Sequence, residues 1–257
     1  MIEFRSVRKT FADANGKETV ALHGLDLRIE PGQVHCLIGT SGCGKTTSLR
    51  LVNRLEEPTS GQVLVGGEDV SAVDVIKLRR RIGYVIQSGG LFPHLTIAQN
   101  VGVLCDLEGQ ATDEVEQRVH ELLELVNLSP SKFAARYPNE LSGGQRQRIG
   151  IARALALDPQ YLLMDEPFGA LDPLTRGELL SELQPLFATL GKTVLLVTHD
   201  LNEAFALGQQ VSLMHQGHLI QTGSRDDLVQ SPATARGGTA CGEPGCGEPA
   251  RGKLLSR

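Results

Sequence analysis

The glycine-rich segment at residues 39–47 constrains the fold of this chain more than any other feature. The apolar run at residues 34–38 precedes it and predicts a buried strand. Leu49, Val52 and Leu55 follow it at helical spacing. Together the three parts predict a strand, a tight loop and a helix, which is the arrangement that a glycine-rich phosphate-binding loop requires.

The loop has the residue types that hold phosphate groups. Glycines let its backbone N–H groups surround an anion, Lys45 places a positive charge near the outer phosphates, and the Thr46 hydroxyl is a suitable magnesium ligand. A flexible glycine turn with an exposed lysine is the simpler alternative. The residues expected to contact a nucleotide here are Gly39, Thr40, Ser41, Gly42, Cys43, Gly44, Lys45, Thr46 and Thr47.

A second apolar run, residues 161–164, ends in two adjacent carboxylates. It predicts a buried strand that delivers Asp165 and Glu166 to its carboxyl end, where open α/β sheets bind their ligands. Asp165 is expected to hold a magnesium ion through water, and Glu166 to take a proton from the water that attacks the γ-phosphate. An ordinary solvated turn is the alternative for this pair.

Two more predicted strands end in polar groups that suit the same sheet edge. Residues 193–198 lead to His199, which is expected to hydrogen-bond the γ-phosphate and orient the water. Residues 82–86 lead to Gln87, whose amide oxygen is a further candidate magnesium ligand. A histidine at a strand end is often part of a satisfied turn, and Gln87 alone would carry no weight.

The segment Leu141, Ser142, Gly143, Gly144 and Gln145 predicts a helix start that faces an anion. Ser142 and Gln145 have the spacing of a capping box, and the unpaired N–H groups of a helix start favour negative charge. The paired glycines would let a ligand approach the backbone closely. A bare helix cap followed by a glycine turn is the alternative. Because no phosphate of its own lies within easy reach of this segment, its anion is expected to come with a partner.

Taken in order, these segments resemble the ATP-binding cassette (ABC) family of transport ATPases over nearly the whole chain up to about Ala233. Residues 39–46 match the family's Walker A loop, residues 162–165 its Walker B strand and residues 141–145 its signature. The resemblance implies catalytic roles for Lys45, Gln87, Glu166 and His199. It implies magnesium binding by Thr46, Gln87 and Asp165.

The resemblance also assigns two residues outside those motifs. Phe11 lies where the family places an aromatic ring that stacks on adenine, and a core position in the first hairpin is the alternative. Asp172 ends the family's D-loop, residues 169–172, and is expected to contact the nucleotide. The implied cofactors are ATP and Mg²⁺.

Two cassettes of this family are expected to pair head to tail, so that ATP on the Lys45 loop of one subunit is capped by the Ser142 helix of the other. The pair is expected to be a homodimer or a heterodimer, and hydrolysis should release it. A soluble ATPase that acts on DNA or ribosomes is the alternative function. Such proteins normally carry a long coiled-coil insertion or two cassettes in one chain, and this sequence shows neither.

The sequence has no apolar stretch of about twenty residues that could cross a bilayer, and its first residues lack the apolar core of a signal peptide. We therefore expect the protein at the cytoplasmic face of the inner membrane, bound to integral membrane permease subunits, with an extracytoplasmic substrate-binding protein in the same system. Residues 90–95 offer apolar bulk for the permease contact, with local core packing as the alternative. The net charge of −5 argues against nucleic acid as the main partner.

The remaining pattern predicts an α/β fold with a P-loop NTPase core and a mostly parallel sheet. A helix is predicted from Asp113, capped by Thr112, within an inserted helical subdomain at residues 88–159. The core of the cassette would then be residues 1–87 and 160–233, and the glycine- and proline-rich residues 234–257 are expected to be disordered. Alternating apolar residues predict a small antiparallel sheet, and they are Ile2, Phe4, Leu25, Leu27, Ile29, Val63 and Val65.

The five cysteines do not suggest a disulfide framework, so free thiols are expected. Cys43 lies within the phosphate loop, where positive surroundings favour the reactive thiolate. Alkylation of Cys43 is therefore expected to block ATP binding.

The expected cargo follows from resemblance alone, because cassettes do not touch what is transported. Residues 52–61, 78–87, 136–141 and 165–173 resemble the branch of the family that imports quaternary-amine osmoprotectants. Glycine betaine, choline and carnitine are the expected solutes.

Overall fold

The structure of the protein is a computed structural model, and it describes residues 1–14, 16–87 and 90–233. The strands are β1 (Ile2–Ala12), β2 (Glu18–Ile29), β3 (Val34–Gly39), β4 (Ser60–Val65), β5 (Glu68–Asp69), β6 (Ile82–Val85), β7 (Tyr161–Asp165), β8 (Thr193–Thr198), β9 (Gln210–His215) and β10 (His218–Gly223). The helices are α1 (Lys45–Val52), α2 (Val75–Arg80), α3 (Ile97–Leu107), α4 (Thr112–Leu125), α5 (Pro130–Phe133), α6 (Gly143–Ala154), α7 (Pro173–Leu190), α8 (Leu201–Leu207) and α9 (Arg225–Gln230). The stretch at 234–257, for which we predict disorder, lies outside the described residues.

The strands form two sheets, as the sequence predicts. The larger has the order β10-β9-β3-β8-β7-β6, and all its pairs are parallel except β9 with β10. The smaller, β2-β1-β4-β5, is antiparallel, and its register places Ile2 opposite Ile29 and Phe4 opposite Val63. The predicted α/β class, with a mostly parallel sheet and a small antiparallel sheet, is confirmed.

The parallel strands are buried on both faces, which explains their continuous apolar runs. Cys36, Leu196 and Met164 belong to a core that includes side chains of α3, α4, α6 and α7. Leu37 and Leu195 belong to a second core, shared with α1 and the small sheet. Packing against a core on each face of the sheet therefore fixes the positions at which these strands end.

The helices α3 to α6 lie between β6 and β7 in sequence, and α6 packs against α3, α4 and α7. Two details differ from the sequence predictions. Thr112 is the first residue of α4 rather than its cap, because Ala111 occupies the cap position. Leu55 does not continue α1, since Arg54 has a φ of 52° and turns the chain out of the helix.

In the described part of the chain, the longest helix is α7 with 18 residues. No helix there combines the length and the apolar character that a membrane crossing requires.

His35 is a buried polar residue in the middle of the larger sheet. Its Nε2 atom lies 2.8 Å from the Ser212 hydroxyl, which in turn lies 2.6 Å from the Thr222 hydroxyl. Its Nδ1 atom is buried and has no hydrogen-bond partner among the described residues. Burial lowers the pKa of His35 to about 4. The imidazole is therefore neutral in the folded protein at physiological pH.

We expect His35 to make the folded protein sensitive to acid. The unfolded chain binds a proton near the ordinary histidine pKa and the folded chain does not, so stability falls as the pH drops from about 6.5 towards 4. The loss should reach about 3 kcal/mol. His35→Gln, which keeps a polar group for Ser212 but does not titrate, should flatten this dependence in urea unfolding measured across that pH range. The exposed His120→Gln serves as the control, and parallel curves for His35→Gln and wild type would contradict the assignment.

Candidate active site

The phosphate loop between β3 and α1 packs tightly against the backbone of two other strands. A β-carbon added at Gly39 would lie 2.3 Å from the Met214 carbonyl oxygen, and one added at Gly44 would lie 2.7 Å from the Ala21 carbonyl oxygen. Gly44 also has a φ of 105°, in the left-handed region that favours glycine. Both positions therefore exclude larger residues because of packing within the chain, a reason that the sequence motif alone does not reveal.

Lys45 begins α1, and its side chain folds back over the loop. Only 4% of Lys45 is exposed, and its Nζ atom donates to the carbonyl oxygens of Gly39 at 2.8 Å and Thr40 at 3.1 Å. Gly44 caps the helix without a side-chain bond, which leaves first-turn N–H groups for an anion. Ser41 and Gly42 form the exposed rim of the loop with Thr40, while Thr46 and Thr47 are half-buried. This cradle of N–H groups and one ammonium fits a phosphate chain.

The environment of Cys43 differs from that of the reactive thiol that the sequence predicts. Its side chain is buried and belongs to the core beneath the small sheet. A reagent cannot reach the thiol without opening that core, so the expectation of a reactive cysteine is wrong. Gly42, the residue before it, is exposed, whereas Gly44, the residue after it, is buried.

Thr46 and Asp165 meet where β7 ends beside the loop. The Thr46 hydroxyl donates to Asp165 Oδ1 at 2.8 Å, and the Tyr84 hydroxyl donates to Asp165 Oδ2 at 3.4 Å. Burial, followed by the nearby Asp165 carboxylate, raises the pKa of Tyr84, so this phenol keeps its proton. A hydroxyl and a carboxylate side by side fit Mg²⁺, which is usually held by few protein groups together with substrate phosphates.

Glu166 and His199 extend from the next positions along this edge. The Glu166 Oε2 atom lies 3.1 Å from His199 Nδ1. The Glu166 backbone has a φ of 43°, unusual for a residue other than glycine, and its N–H donates to the Val197 carbonyl oxygen of β8. The strand contact therefore fixes the turn that directs the carboxylate.

Gln87 lies close to this pair. A β-carbon added at Gly169 would lie 3.4 Å from the Gln87 amide nitrogen and 3.7 Å from Glu166 Oε2. The absence of a side chain at Gly169 leaves room for both groups. The structure thus brings Lys45, Thr46, Asp165, Glu166, His199 and Gln87 to one edge of the sheet.

Ser142 and Gln145 form the predicted capping box at the start of α6. The Gln145 N–H donates to Ser142 Oγ at 3.3 Å, and the Ser142 N–H donates to Gln145 Oε1 at 3.0 Å. β-Carbons added at Gly143 and Gly144 would lie 3.0 Å from a Leu171 methyl carbon and 2.8 Å from a Thr175 methyl carbon. The glycines therefore also allow α6 to pack closely on the D-loop and α7. Among the described residues, no hydrogen bond joins residues 141–145 to residues 39–47.

Phe11 and Asp172 are the two residues outside the main motifs for which the family resemblance implies contact with the nucleotide. Phe11 is 39% exposed, with Lys9 Nζ 4.6 Å from the centroid of its ring, so the alternative of a core position is wrong. Asp172 caps α7, and its Oδ1 atom accepts from the Thr175 N–H at 3.1 Å. Hydrogen bonds from Thr175 hold the pKa of Asp172 below its usual value. The functional roles of both residues stay predictions.

Sequence reasoning missed two residues that contact this edge. The sequence pattern marks Tyr84 only as part of a predicted strand, whereas the parallel pairing of β6 with β7 places it opposite Leu163, two positions before Asp165. Arg176, in the first turn of α7, pairs with Asp200 at 3.1 Å. No local motif marks either residue, because both act across elements that are distant in sequence.

The chain belongs to the ABC transporter family, whose model matches residues 22–169. It is 46% identical to the glycine betaine/carnitine/choline transport ATP-binding protein OpuCA of Bacillus subtilis, over 91% of this chain and 60% of that protein. It is also 46% identical to the glycine betaine uptake system ATP-binding protein YehX of Escherichia coli, over 91% of this chain and 74% of that protein. Both names refer to transport, so these relatives do not favour the DNA or ribosome alternative.

A solved structure described as a dimeric post-hydrolysis state of the cassette MJ0796, bound to ADP and Pi, has a TM-score of 0.77 and 33% sequence identity to this chain. The match covers 87% of this chain and 98% of that one. The cassette fold is therefore shared over most of the described residues. The chain spans about 60% of the length of OpuCA.

Proposed function

We propose that this chain is the ATP-binding and ATP-hydrolysing subunit of an ABC importer for quaternary-amine osmoprotectants. One observation carries the ATPase part of the proposal: three neighbouring parallel strands gather the Lys45 loop, the Thr46–Asp165 pair and the Glu166–His199 pair at a single edge. These are the parts that phosphoryl transfer to water needs, namely a phosphate cradle, a metal site and a base.

Each group of residues would have a separate role in ATP binding and hydrolysis. The loop N–H groups and Lys45 bind the phosphates, while Thr46, Asp165 and Gln87 would hold Mg²⁺. The ion would neutralise charge on the phosphate oxygens. Glu166 accepts the proton of the attacking water, and His199, 3.1 Å from it, orients this carboxylate and hydrogen-bonds the γ-phosphate.

We place the second half of the site on a second cassette. The Ser142 hydroxyl accepts a hydrogen bond from Gln145 but keeps its own proton, so it can donate to a phosphate. Since no hydrogen bond among the described residues connects it with the loop of its own chain, a head-to-tail partner is the suitable source of that phosphate. Phe11 would stack on the adenine, and Asp172 would contact the nucleotide across the interface. The partner cassette is a second copy or a related chain.

The transport part of the proposal rests on the names of the relatives and on the exposed segment after β6 that contains Phe92. Phe92 is exposed in the segment after β6, with the Arg153 guanidinium 5.7 Å from its ring centroid. We propose that this segment contacts permease subunits at the cytoplasmic face of the inner membrane. An extracytoplasmic binding protein would deliver the solute.

Glu166→Gln should bind ATP but hydrolyse it far more slowly, because a general base contributes roughly 10²–10⁴-fold. The ATP-bound dimer should accumulate and be visible by size-exclusion chromatography coupled to light scattering. The exposed Glu116→Gln, in α4, is the matched control and should behave like wild type. A normal turnover rate in Glu166→Gln would rule out its role as the base.

Ser142→Ala and Thr96→Ala form a matched pair, because Thr96 and Gln99 make the same type of capping box at the start of α3. Each variant should lose about 1 kcal/mol of stability in urea unfolding. Only Ser142→Ala should also weaken ATP-driven dimerisation, by on the order of ten- to a hundredfold, since a hydrogen bond to a charged group is worth roughly 1.5–3 kcal/mol. Equal dimerisation in the two variants would show that Ser142 is only a cap.

The cargo is tested by uptake. Cells in which this chain replaces the ATP-binding subunit of a glycine betaine importer should take up labelled glycine betaine, and the Glu166→Gln chain should not support uptake. Glycine, which has the carboxylate but no quaternary ammonium group, is the control solute. If the chain hydrolysed ATP and assembled with the permease but supported no uptake of glycine betaine, choline or carnitine, the proposed cargo class would be wrong.

A further inference from the structure

A cluster of charges links the D-loop to the strand end that carries His199. The Arg176 Nη2 group donates to the Leu171 carbonyl oxygen at 3.0 Å, and its Nη1 group donates to Asp200 Oδ2 at 3.1 Å. Its Nε atom lies 3.5 Å from Glu203 Oε1, close enough for an ion pair although not in hydrogen-bond geometry. One guanidinium therefore joins the D-loop, through Leu171, to the start of α8, where Asp200 is the cap and Glu203 lies in the first turn.

Glu203 is the buried acid of this cluster, and both it and Asp200 hydrogen-bond to Thr198. Glu203 is 2% exposed and accepts a hydrogen bond from the Thr198 hydroxyl, whose oxygen in turn accepts from the Asp200 N–H at 3.0 Å. Burial raises the pKa of Glu203. A buried carboxylate is costly unless it is paired, and Arg176 is the cation beside it.

His199 lies between the two residues that this cluster fixes. Its side chain is 55% exposed, and within the described ranges its ring makes one hydrogen bond, to Glu166. The ring itself is therefore weakly held, whereas the backbone on either side is anchored through Thr198 and Asp200. The position of the imidazole depends on those anchors.

We propose that Arg176 is a positioning residue that keeps His199 against Glu166 by tying the Leu171 segment to the Thr198–Asp200 strand end. The planar guanidinium, with its fixed fork of donors, is suited to joining a carbonyl and two carboxylates at once, which the single ammonium of lysine cannot reproduce. This inference rests on the proposed ATPase activity. It assigns to Arg176 an effect on the rate of hydrolysis and no contact with the nucleotide.

The test compares steady-state ATP hydrolysis by wild type, Arg176→Lys and Arg176→Gln in the full-length chain. We expect kcat to fall on the order of ten- to a hundredfold in both variants, since small misplacements of catalytic groups are that costly. The KM for ATP should stay near the wild-type value, because the Lys45 loop is untouched. The control is Arg118→Lys, an arginine of α4 that also bonds two carbonyl oxygens and a carboxylate, and it should leave kcat unchanged.

A second variant separates positioning from simple charge balance. Glu203→Gln removes the buried charge but can still accept the hydrogen bond from Thr198. In the double variant Arg176→Gln with Glu203→Gln, thermal stability should recover towards wild type while kcat stays low. Recovery of kcat together with stability would overturn the proposal, and so would normal kcat in Arg176→Lys. A wild-type chain without ATPase activity would instead refute the proposed function, which keeps the two failures distinct.

Discussion

The parallel pairing of β3, β8 and β7 is the constraint on which the rest of the structure depends. Its register places Ile38 opposite Thr198 and Val197 opposite Asp165, so three strands end side by side. Both faces of these strands are buried, so a slip in register would move apolar side chains between the two cores. This register also fixes the chemical groups at the edge, because Asp165 ends its strand, Glu166 and His199 each follow a strand directly, and Lys45 follows β3 after a short loop.

Several polar groups at this edge form hydrogen bonds with other groups of the same chain. Lys45 is held by two carbonyl oxygens and Asp165 by two hydroxyls. In the proposed ATPase, a phosphate that enters the cradle would compete with those bonds for the ammonium, and Mg²⁺ would compete for the Thr46 and Asp165 oxygens. Such internal partners avoid the cost of unsatisfied buried groups and keep the site close to its working geometry. The left-handed backbone at Glu166 is consistent with a site that is held in place by its surroundings.

The sequence predicted the strands that end in Asp165 and Thr198, the alternation of Ile2 and Phe4, and the Ser142 capping box, because each follows from a local pattern. It failed at Leu55, where a single left-handed residue ends the helix, and at Cys43, whose burial depends on the second core rather than on its neighbours in sequence. Tyr84 and Arg176 could not be found for the same reason: their partners lie across the sheet or on another helix. Long-range contacts of this kind produce no local pattern in the sequence from which they could be predicted.

The same long-range contacts suggest how two nucleotide sites in a dimer would communicate. Gly143 and Gly144 pack on Leu171 and Thr175, so the start of α6 rests on the start of α7. One residue further along α7, Arg176 reaches the strand end beside His199. In the proposed dimer, Ser142 contacts the ATP of the partner, whereas His199 serves the chain's own ATP. The first turn of α7 therefore lies between the two sites, and a shift of α6 on binding one nucleotide would be transmitted through packed side chains to the hydrolytic edge of the other.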